Sequence, residues 1–244
     1  MHPPVDGPCM AVFTTRIGGI GRAPYAALNL AGTVDEAPGA VHANRQAVCT
    51  ALGLDPARVV VGTQVHGTRV RHVGPDELPS PFLDATHRWP DGDGLVSSLP
   101  GVAVGVFGAD CLSVLLWRRD LPRVAAIHAG RRGLVDGVLE RAVLELGSAE
   151  RIGAAIGPGI GPCCYPVSAE VRDRFAVRFG ESCLAGEAVD LVSAARTALL
   201  GAGVAGSAVW AIDTCTSCDR ERWFSFRRDG APTGRQAGII WAVA

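Results

Sequence analysis

The chain has 244 residues and a formal net charge of −1, which excludes a general electrostatic attraction to nucleic acid or to an anionic membrane. Hydrophobic residues make up 48% of the sequence and charged residues 19%, so the chain can form a sizeable core and is not intrinsically disordered. No apolar run approaches the roughly 20 residues needed to span a bilayer, and the first residues lack the segments of a secretory signal. We therefore expect a cytoplasmic protein with no membrane and no nucleic-acid partner.

Helical and extended patterns alternate along the chain. Val48 and Leu52 share one face of a predicted helix that ends at Gly53, and residues 74–90 form a proline-containing surface loop. Further helices are predicted at residues 134–146, 167–179 and 188–200, and strands at residues 59–65, 102–107, 112–117, 124–127, 152–156, 208–212 and 239–243. Because the alternation lacks a strict β-α-β spacing, an α/β or α+β sandwich in a single domain, residues 1–244, fits best.

Three predicted strands each lie next to a residue that binds soft metals, namely His66, Cys111 and His128. Taken singly, a histidine at a strand end is more often a hydrogen-bonded group, and a cysteine is more often a small buried thiol. Taken together, two histidines and one cysteine form a zinc ligand set that leaves the fourth position vacant, as in catalytic sites. A Cys-His hydrolase, with Cys111 as nucleophile and either histidine as base, stays open as an alternative.

Two polar residues adjoin these candidate ligands. Asp110 precedes Cys111 and can receive the second ring N–H of a ligating histidine or a substrate hydroxyl, although it can equally cap a turn. Gln64 lies two residues before His66 and therefore points to the same face of a strand. It can bind a polar substrate or a cross-strand partner. We take Asp110 and Gln64 as candidate catalytic residues.

Four further residues are candidates for substrate binding. Arg16, Arg132 and Arg227 lie near glycine-containing segments, where a bare backbone lets a guanidinium group bind phosphate or carboxylate oxygens. Surface arginines are common, so solvated charges are the alternative. Asn44 lies on the apolar face of the first predicted helix, where it either satisfies local backbone groups or contacts substrate.

Four cysteines form a second pattern, with Cys163 and Cys164 adjacent and Cys215 two residues before Cys218 in a Cys-x-x-Cys segment. They are a possible second zinc site, but an adjacent pair is poorly spaced for tetrahedral chelation. A redox role has little support, because no predicted helix starts at the Cys-x-x-Cys segment to lower a thiol pKa.

A set of short motifs occurs in order along nearly the whole chain, from about residue 11 to the C-terminus. These motifs are Thr14-Thr-Arg-x-Gly-Gly19, Tyr25-Ala-Ala-Leu-Asn-Leu30, Asn44-Arg45, Gln64-Val-His-Gly67, Ala109-Asp-Cys111, His128-Ala-Gly-x-Arg-Gly133, Ile156-Gly-Pro-Gly-Ile-Gly161, Tyr165, Cys215-Thr216 and Ser225-x-Arg-Arg228. As a set they resemble the laccase-domain, polyphenol-oxidase-like family, whose bacterial members are also called peptidoglycan editing factors. Each motif is short, but the ordered set is specific.

The resemblance implies a four-layer α/β/β/α fold and one zinc ion bound by His66, Cys111 and His128. It also implies phosphorolysis of adenosine, inosine and S-methyl-5′-thioadenosine to the free base and the sugar 1-phosphate, together with adenosine deamination. The expected partners are thus a nucleoside and phosphate, with the chain a monomer or a homodimer. A multicopper site is not expected, because the sequence lacks clustered His-x-His pairs.

One motif departs from the family pattern. The family usually has His-Ala-Gly-Trp-Arg-Gly, whereas Arg131 replaces the tryptophan in this chain. The change removes an aromatic wall for a base and bears on substrate preference more than on chemistry. Two other functions remain as alternatives: a Cys-His hydrolase or amidase acting on a peptidoglycan precursor, and a non-catalytic metal-dependent interaction protein.

Overall fold

Two β-sheets lie face to face at the centre of the structure, a computed structural model that describes residues 1–243. The described strands are β1 (Cys9–Phe13), β2 (Val59–Val60), β3 (Val70–Val73), β4 (Gly94–Ser97), β5 (Ala103–Gly108), β6 (Leu112–Arg118), β7 (Val124–Ala129), β8 (Ile152–Ile156), β9 (Leu184–Ala185), β10 (Ala188–Val189), β11 (Val209–Ala211) and β12 (Gln236–Ala242). The described helices are α1 (Pro38–Leu52), α2 (Arg131–Asp136), α3 (Val138–Leu146), α4 (Ala169–Phe179), α5 (Leu191–Gly201) and α6 (Phe226–Asp229), and none of these is long and apolar enough to cross a membrane. One sheet has the order β1-β12-β5-β2 and the other β11-β8-β6-β7-β4-β3, while β9 and β10 pair separately.

Three apolar clusters fill the spaces between four layers. Helix α1 covers the outer face of the four-stranded sheet, where Val48 belongs to the same cluster as Ile239 of β12. Between the two sheets, Phe13 and Leu115 are members of a second cluster. Helices α3, α4 and α5 cover the outer face of the six-stranded sheet and contribute Phe175 and other residues to a third cluster. The predicted single-domain α/β/β/α sandwich is therefore confirmed.

Strands β6 and β7 are buried on both faces because they lie in the middle of the six-stranded sheet. Their side chains alternate, so that Val114 and Ile127 face the helices while Leu115 faces the second sheet. Burial on both faces explains why these strands read as nearly continuous apolar runs in the sequence. The same alternation puts His128 on the face toward the second sheet, where its residue is only 4% exposed.

Two predicted elements are interrupted. The predicted strand 59–65 is reduced to β2, because the chain then leaves the ladder with β5 and Thr63 instead forms an isolated bridge to Asp91. The predicted helix 134–146 is wrong in its continuity. Gly137 has a φ of 95°, a left-handed conformation that favours glycine, and it separates α2 from α3.

Other differences concern short elements. The predicted helix 188–200 begins later, at α5, because the Asp190 side chain accepts hydrogen bonds from the backbone N–H groups of Val192 and Ser193. The preceding residues form β10 instead. Strands β3 and β4 were not predicted, since each contains only two apolar residues. The last residue of the predicted domain, Ala244, lies outside the described residues.

Gly153 in β8 offers a test of the packing beside the central strands. A Cβ atom at this position would lie 2.3 Å from the Trp117 side chain, which is almost fully buried. We expect Gly153→Ala to lower the free energy of unfolding by about 1–3 kcal/mol, because the indole group must move within a closely packed core. Urea denaturation measures the change.

The matched control is Gly201→Ala at the end of α5, where a Cβ atom would meet nothing within 4 Å. Its free energy of unfolding should stay the same or rise by up to about 1 kcal/mol, because alanine favours a helix. Equal unfolding midpoints for the two variants would contradict the packing described for β8.

Candidate metal centre

His66, Cys111 and His128 converge, as the sequence predicts, with ligand atoms that all lie within 4.8 Å of one another. His128 lies near the end of β7. Cys111 directly precedes β6, which is the strand paired with β7 in the same sheet. His66 comes from the loop between β2 and β3, and its ring lies 4.9 Å from the ring of His128, nearly perpendicular to it. We call these three residues the triad.

The buried carboxylate of Asp93 holds two members of the triad in place. Its Oδ2 accepts hydrogen bonds from the backbone N–H groups of Val65 (3.1 Å) and Gly67 (2.8 Å). Its Oδ1 accepts from the backbone N–H of His66 (2.9 Å) and lies 2.8 Å from Nδ1 of His128. One fully buried side chain thus binds three consecutive backbone groups and one imidazole ring.

The pairing of β4 with β7 explains why Asp93 meets His128. In that antiparallel ladder Gly94 is opposite Ile127, so the preceding residue, Asp93, comes opposite His128. The backbone N–H of His128 donates to the carbonyl oxygen of Asp93 at 2.6 Å, which continues the ladder. Because Nδ1 of His128 is committed to Asp93, its Nε2 is the nitrogen available to a ligand.

His66 and Asp110 both have left-handed backbone conformations, with φ values of 60° and 95°. This region is unfavourable for residues other than glycine and persists only where surrounding contacts enforce it. At His66 the enforcing contacts are the hydrogen bonds to Asp93. At Asp110 they are hydrogen bonds to its carboxylate from the Thr216 hydroxyl (2.7 Å) and the Arg227 backbone N–H (2.6 Å).

Electrostatic interactions within the site favour an ionised thiol. Burial alone raises the pKa of Cys111, but hydrogen bonds and positive charge from His128 and His66 bring that pKa below its ordinary value. Burial lowers the pKa of His128, yet the interactions with Asp93 and Cys111 raise it overall. The contacts with the two histidines therefore favour the Cys111 thiolate, which is the form of cysteine that binds metals.

The residues present fit a zinc ion. Imidazole nitrogens and thiolate sulfur are both zinc ligands, three of them leave a fourth position open, and the distances among these ligand atoms let one ion contact all three. A carboxylate on the second nitrogen of His128 is the arrangement usual for histidine ligands of metals. Gly130 completes the fit, because a Cβ atom there would lie 2.9 Å from Sγ of Cys111 and 3.1 Å from the His66 ring.

The triad lies at a cleft of about 710 Å³ between the two sheets and the surrounding loops. Trp89 and Phe107 provide aromatic surfaces, while Arg235 and Glu36 provide charge of both signs. Burial lowers the pKa of Arg235, and the neighbouring Cys111 opposes that change. The cleft therefore brings a cation, a carboxylate and aromatic rings together beside the triad.

The structure shows what the two predicted catalytic residues contact. Gln64 lines the cleft, and its amide exchanges two hydrogen bonds of 2.7 Å with the backbone N–H and carbonyl of Phe107, the predicted cross-strand alternative. The carboxylate of Asp110 accepts hydrogen bonds from Thr216 and Arg227. The ring of His128 is paired with Asp93 and not with Asp110. Catalytic roles for Gln64 and Asp110 stay predictions.

The structure does not bring Arg16, Asn44, Arg132 or Arg227 to the lining of the cleft. Asn44 is fully buried and bonds to the backbone of residues 20, 27 and 29, the satisfied alternative considered for it. Arg16 donates to the carbonyl of Ala26 and stacks on Phe224.

The two remaining arginines also lie outside the residues that line this cleft. The guanidinium of Arg227 stacks on the Tyr165 ring at 4.8 Å and donates to a backbone carbonyl. Arg132 is exposed and lines a separate depression with Arg131 and Arg174. Substrate binding by the four predicted residues also stays a prediction.

Sequence reasoning missed Asp93 and Arg235 as members of the site. Asp93 stands between two glycines and has no periodic neighbour, so only the β4–β7 pairing reveals its role. Arg235 directly follows Gly234, and this glycine context is the same signal that marks Arg16, Arg132 and Arg227 in the sequence.

Comparison with known proteins agrees with the motif set. Residues 10–243 match the family model described as multi-copper polyphenol oxidoreductase laccase. The chain is 40% identical over 239 residues to a purine nucleoside phosphorylase of Streptomyces coelicolor, which covers 94% of this chain and 93% of that relative. It is 36% identical over 244 residues to the purine nucleoside phosphorylase YfiH of Escherichia coli, which covers 96% of this chain and 93% of that relative.

Solved structures give the same grouping. YlmD from Geobacillus stearothermophilus superposes with a TM-score of 0.89 at 30% identity, covering 99% of this chain and 94% of that chain. The hypothetical protein YfiH of Bacillus licheniformis has a TM-score of 0.88 at 28% identity, covering 96% and 92%. Sequence motifs, the matched family and the shared fold lead to one assignment: the chain belongs to the family described as multi-copper polyphenol oxidoreductase laccase.

Proposed function

We propose that this chain is a zinc-dependent purine nucleoside phosphorylase that also deaminates adenosine. Its substrates are adenosine, inosine and S-methyl-5′-thioadenosine, which it converts with phosphate to the free base and the sugar 1-phosphate. The observation that carries the proposal is the triad opening onto a cleft with a cation and aromatic surfaces. The names of the relatives from Streptomyces coelicolor and Escherichia coli support the substrate class.

The cleft suits a nucleoside in size and in chemistry. A volume of about 710 Å³ lies within the usual range for small-molecule sites. Trp89 and Phe107 offer rings on which a purine can stack, whereas Arg131 lies outside the residues that line this cleft. Glu36 and Gln64 offer polar contacts to the ribose or the base.

The proposed zinc ion is held by His66, Cys111 and His128. When bound, zinc would act as a Lewis acid and would lower the pKa of a water molecule towards about 7. Asp93 orients the His128 ring and keeps its Nε2 facing the site. The thiolate requires reducing conditions, which agrees with the predicted cytoplasmic location.

Phosphorolysis places its own demands on the chain. An oxygen of phosphate bonds to C1′ of the ribose while the bond to the purine breaks, so the site must hold an anion and stabilise the departing base. Arg235 is the proposed phosphate-binding residue. Its Nη1 donates to two backbone carbonyls, and among the described residues no protein acceptor is paired with its Nε or Nη2.

Glu36 is the proposed donor of a proton to the departing base. Burial raises the pKa of this carboxyl, although a hydrogen bond from Asn29 opposes the shift. A carboxyl with a raised pKa retains its proton closer to neutral pH and can act as a general acid.

A second candidate function is a Cys-His hydrolase or amidase acting on a peptidoglycan precursor. The observation in its favour is the chain of contacts from Cys111 through His128 to Asp93, which has the order of a nucleophile, a base and an orienting carboxylate. His66 also contacts Cys111, but among the described residues no carboxylate pairs with its ring, so His128 is the base in this arrangement. The two functions therefore differ in what they require of His66 and of zinc.

Replacing a ligand tests the leading function. We expect His66→Ala and Cys111→Ala each to lose one equivalent of zinc relative to the wild type, together with the phosphorolysis and deamination activities. Elemental analysis and a phosphate-dependent assay with adenosine and inosine measure the changes.

The control is His42→Ala, which removes a histidine from the exposed side of α1 and should keep both the zinc and the activities. Undiminished zinc in both ligand variants would sink the assignment. A His66→Ala variant that keeps amidase activity after chelation would favour the hydrolase instead.

A change at Arg235 tests the proposed phosphate site. Arg235→Gln should raise the KM for phosphate by about tenfold or more, because a charge-assisted hydrogen bond to an anion contributes about 1.5–3 kcal/mol. Adenosine deamination uses no phosphate and should change little. Steady-state kinetics of both reactions provide the comparison.

Arg132→Gln is the matched control, since Arg132 is exposed and lies outside the cleft lining. If the KM for phosphate is unchanged in Arg235→Gln but raised in Arg132→Gln, Arg132 binds phosphate, as the sequence predicts, and Arg235 does not. Equal losses of phosphorolysis and deamination in Arg235→Gln would show that its role is not specific to phosphate.

A further inference from the structure

Four cysteines outside the triad form a compact cluster that the proposed function does not use. Cys163, Cys164, Cys215 and Cys218 have sulfur atoms that all lie within 4.8 Å of one another. The Sγ atom of Cys218 lies 3.6 Å from that of Cys163 and 3.4 Å from that of Cys164. We call these four residues the cysteine cluster.

Two separate segments of the chain supply the cysteine cluster. Cys163 and Cys164 lie in a short 3-10 turn, Pro162–Cys164, that follows β8, and the other two lie in the turn after β11. The segments are joined by backbone pairing, with a parallel bridge between Gly159 and Cys215 and a 2.9 Å hydrogen bond from the Thr216 N–H to the Gly159 carbonyl. The convergence is therefore built into the fold.

Gly161 brings the two segments close together at the cysteine cluster. A Cβ atom at this residue would lie 3.1 Å from Cβ of Cys215, so a larger residue would push the segments apart. Its backbone N–H donates to Sγ of Cys215 at 3.2 Å. Hydrogen bonds of this kind stabilise an ionised sulfur and are usual around metal-bound ligands.

The sequence-based objection to a metal at this place was the adjacency of Cys163 and Cys164. The 3-10 turn removes it, because both sulfur atoms of the adjacent pair lie beside Cys218. A disulfide would use only two of the four sulfurs and would not account for the convergence of all four. Four thiolates around one point are the ligand set of a closed, tetrahedral zinc site.

The geometry points to a second zinc site, structural rather than catalytic, formed by the four residues of the cysteine cluster. With four protein ligands this site has no open position for water or substrate. It links the turn after β11 to the 3-10 turn that follows β8. Within the turn after β11, the hydroxyl of Thr216 donates a hydrogen bond to Asp110, which directly precedes the triad residue Cys111. The second zinc site thereby supports the backbone that presents Cys111.

Zinc content measures this proposal directly. Protein purified under reducing conditions in the presence of zinc should contain two equivalents per chain. Cys215→Ser and Cys218→Ser should each lose one equivalent and unfold at a lower temperature, while Cys9→Ala, outside both metal-binding groups, should keep two. Elemental analysis and thermal denaturation provide the readouts. Two equivalents in Cys215→Ser and Cys218→Ser would overturn the second site.

A variant of the triad keeps the proposal testable if the cluster variants fail to fold. Cys111→Ser should retain one equivalent of zinc, and X-ray absorption at the zinc edge should then show four sulfur ligands. Zinc-free Cys111→Ser, or zinc with nitrogen and oxygen ligands, would contradict the assignment. A disulfide between Cys218 and Cys163 or Cys164 in protein kept reduced, or iron with its visible absorbance in place of zinc, would contradict it as well.

Discussion

The fully buried carboxylate of Asp93 is the constraint on which the candidate site depends. A buried charge is costly unless it is paired and hydrogen-bonded, and this one has four donors. Burial raises the pKa of Asp93, but its bonds to His128 and to Gly67 outweigh that effect and lower the pKa overall. The carboxylate is thereby kept ionised, and its contacts fix both the backbone around His66 and the orientation of the His128 ring.

The fold explains why these contacts form between the sheets. Strands β4, β7 and β6 are neighbours in the six-stranded sheet, and at one end of these strands they carry Asp93, His128 and Cys111 in or directly before them. Gly108 of β5 and Arg235, which directly precedes β12 of the other sheet, line the cleft as well. Buried apolar surface on both sides of β6 and β7 holds the strands rigidly, so ligands at their ends need little reorganisation.

The sequence predicted the triad for physical reasons that are local, whereas the layer order came from the family resemblance. Strands buried on both faces give continuous apolar runs, and a polar histidine or cysteine at the end of such a run stands out. His66 was found this way even though its own predicted strand is mostly an irregular loop. The order of motifs supplied the layers, which periodicity alone left open between two fold classes.

The contacts that the sequence did not predict depend on tertiary pairing. Asp93 acquires its role from the register between β4 and β7, and Gln64 finds its partner in Phe107, 43 residues away. The cysteine cluster shows the same limit, because its adjacent pair looked unsuitable until the turn after β8 was known. In each case the side chain contacts residues that are far away in the sequence, and such contacts cannot be inferred from the spacing of residues along the chain.

The zinc affinity of an Asp93→Asn variant tests the central claim most directly, measured by competition with a chelator for the zinc ion proposed at the triad. Asparagine keeps the shape of the side chain but loses the charge, so the affinity should fall by about 10–100-fold. Asp91→Asn, an exposed neighbour two residues earlier, should bind zinc like the wild type. Wild-type affinity in Asp93→Asn would contradict the account, because it would show that the triad is held without the buried carboxylate.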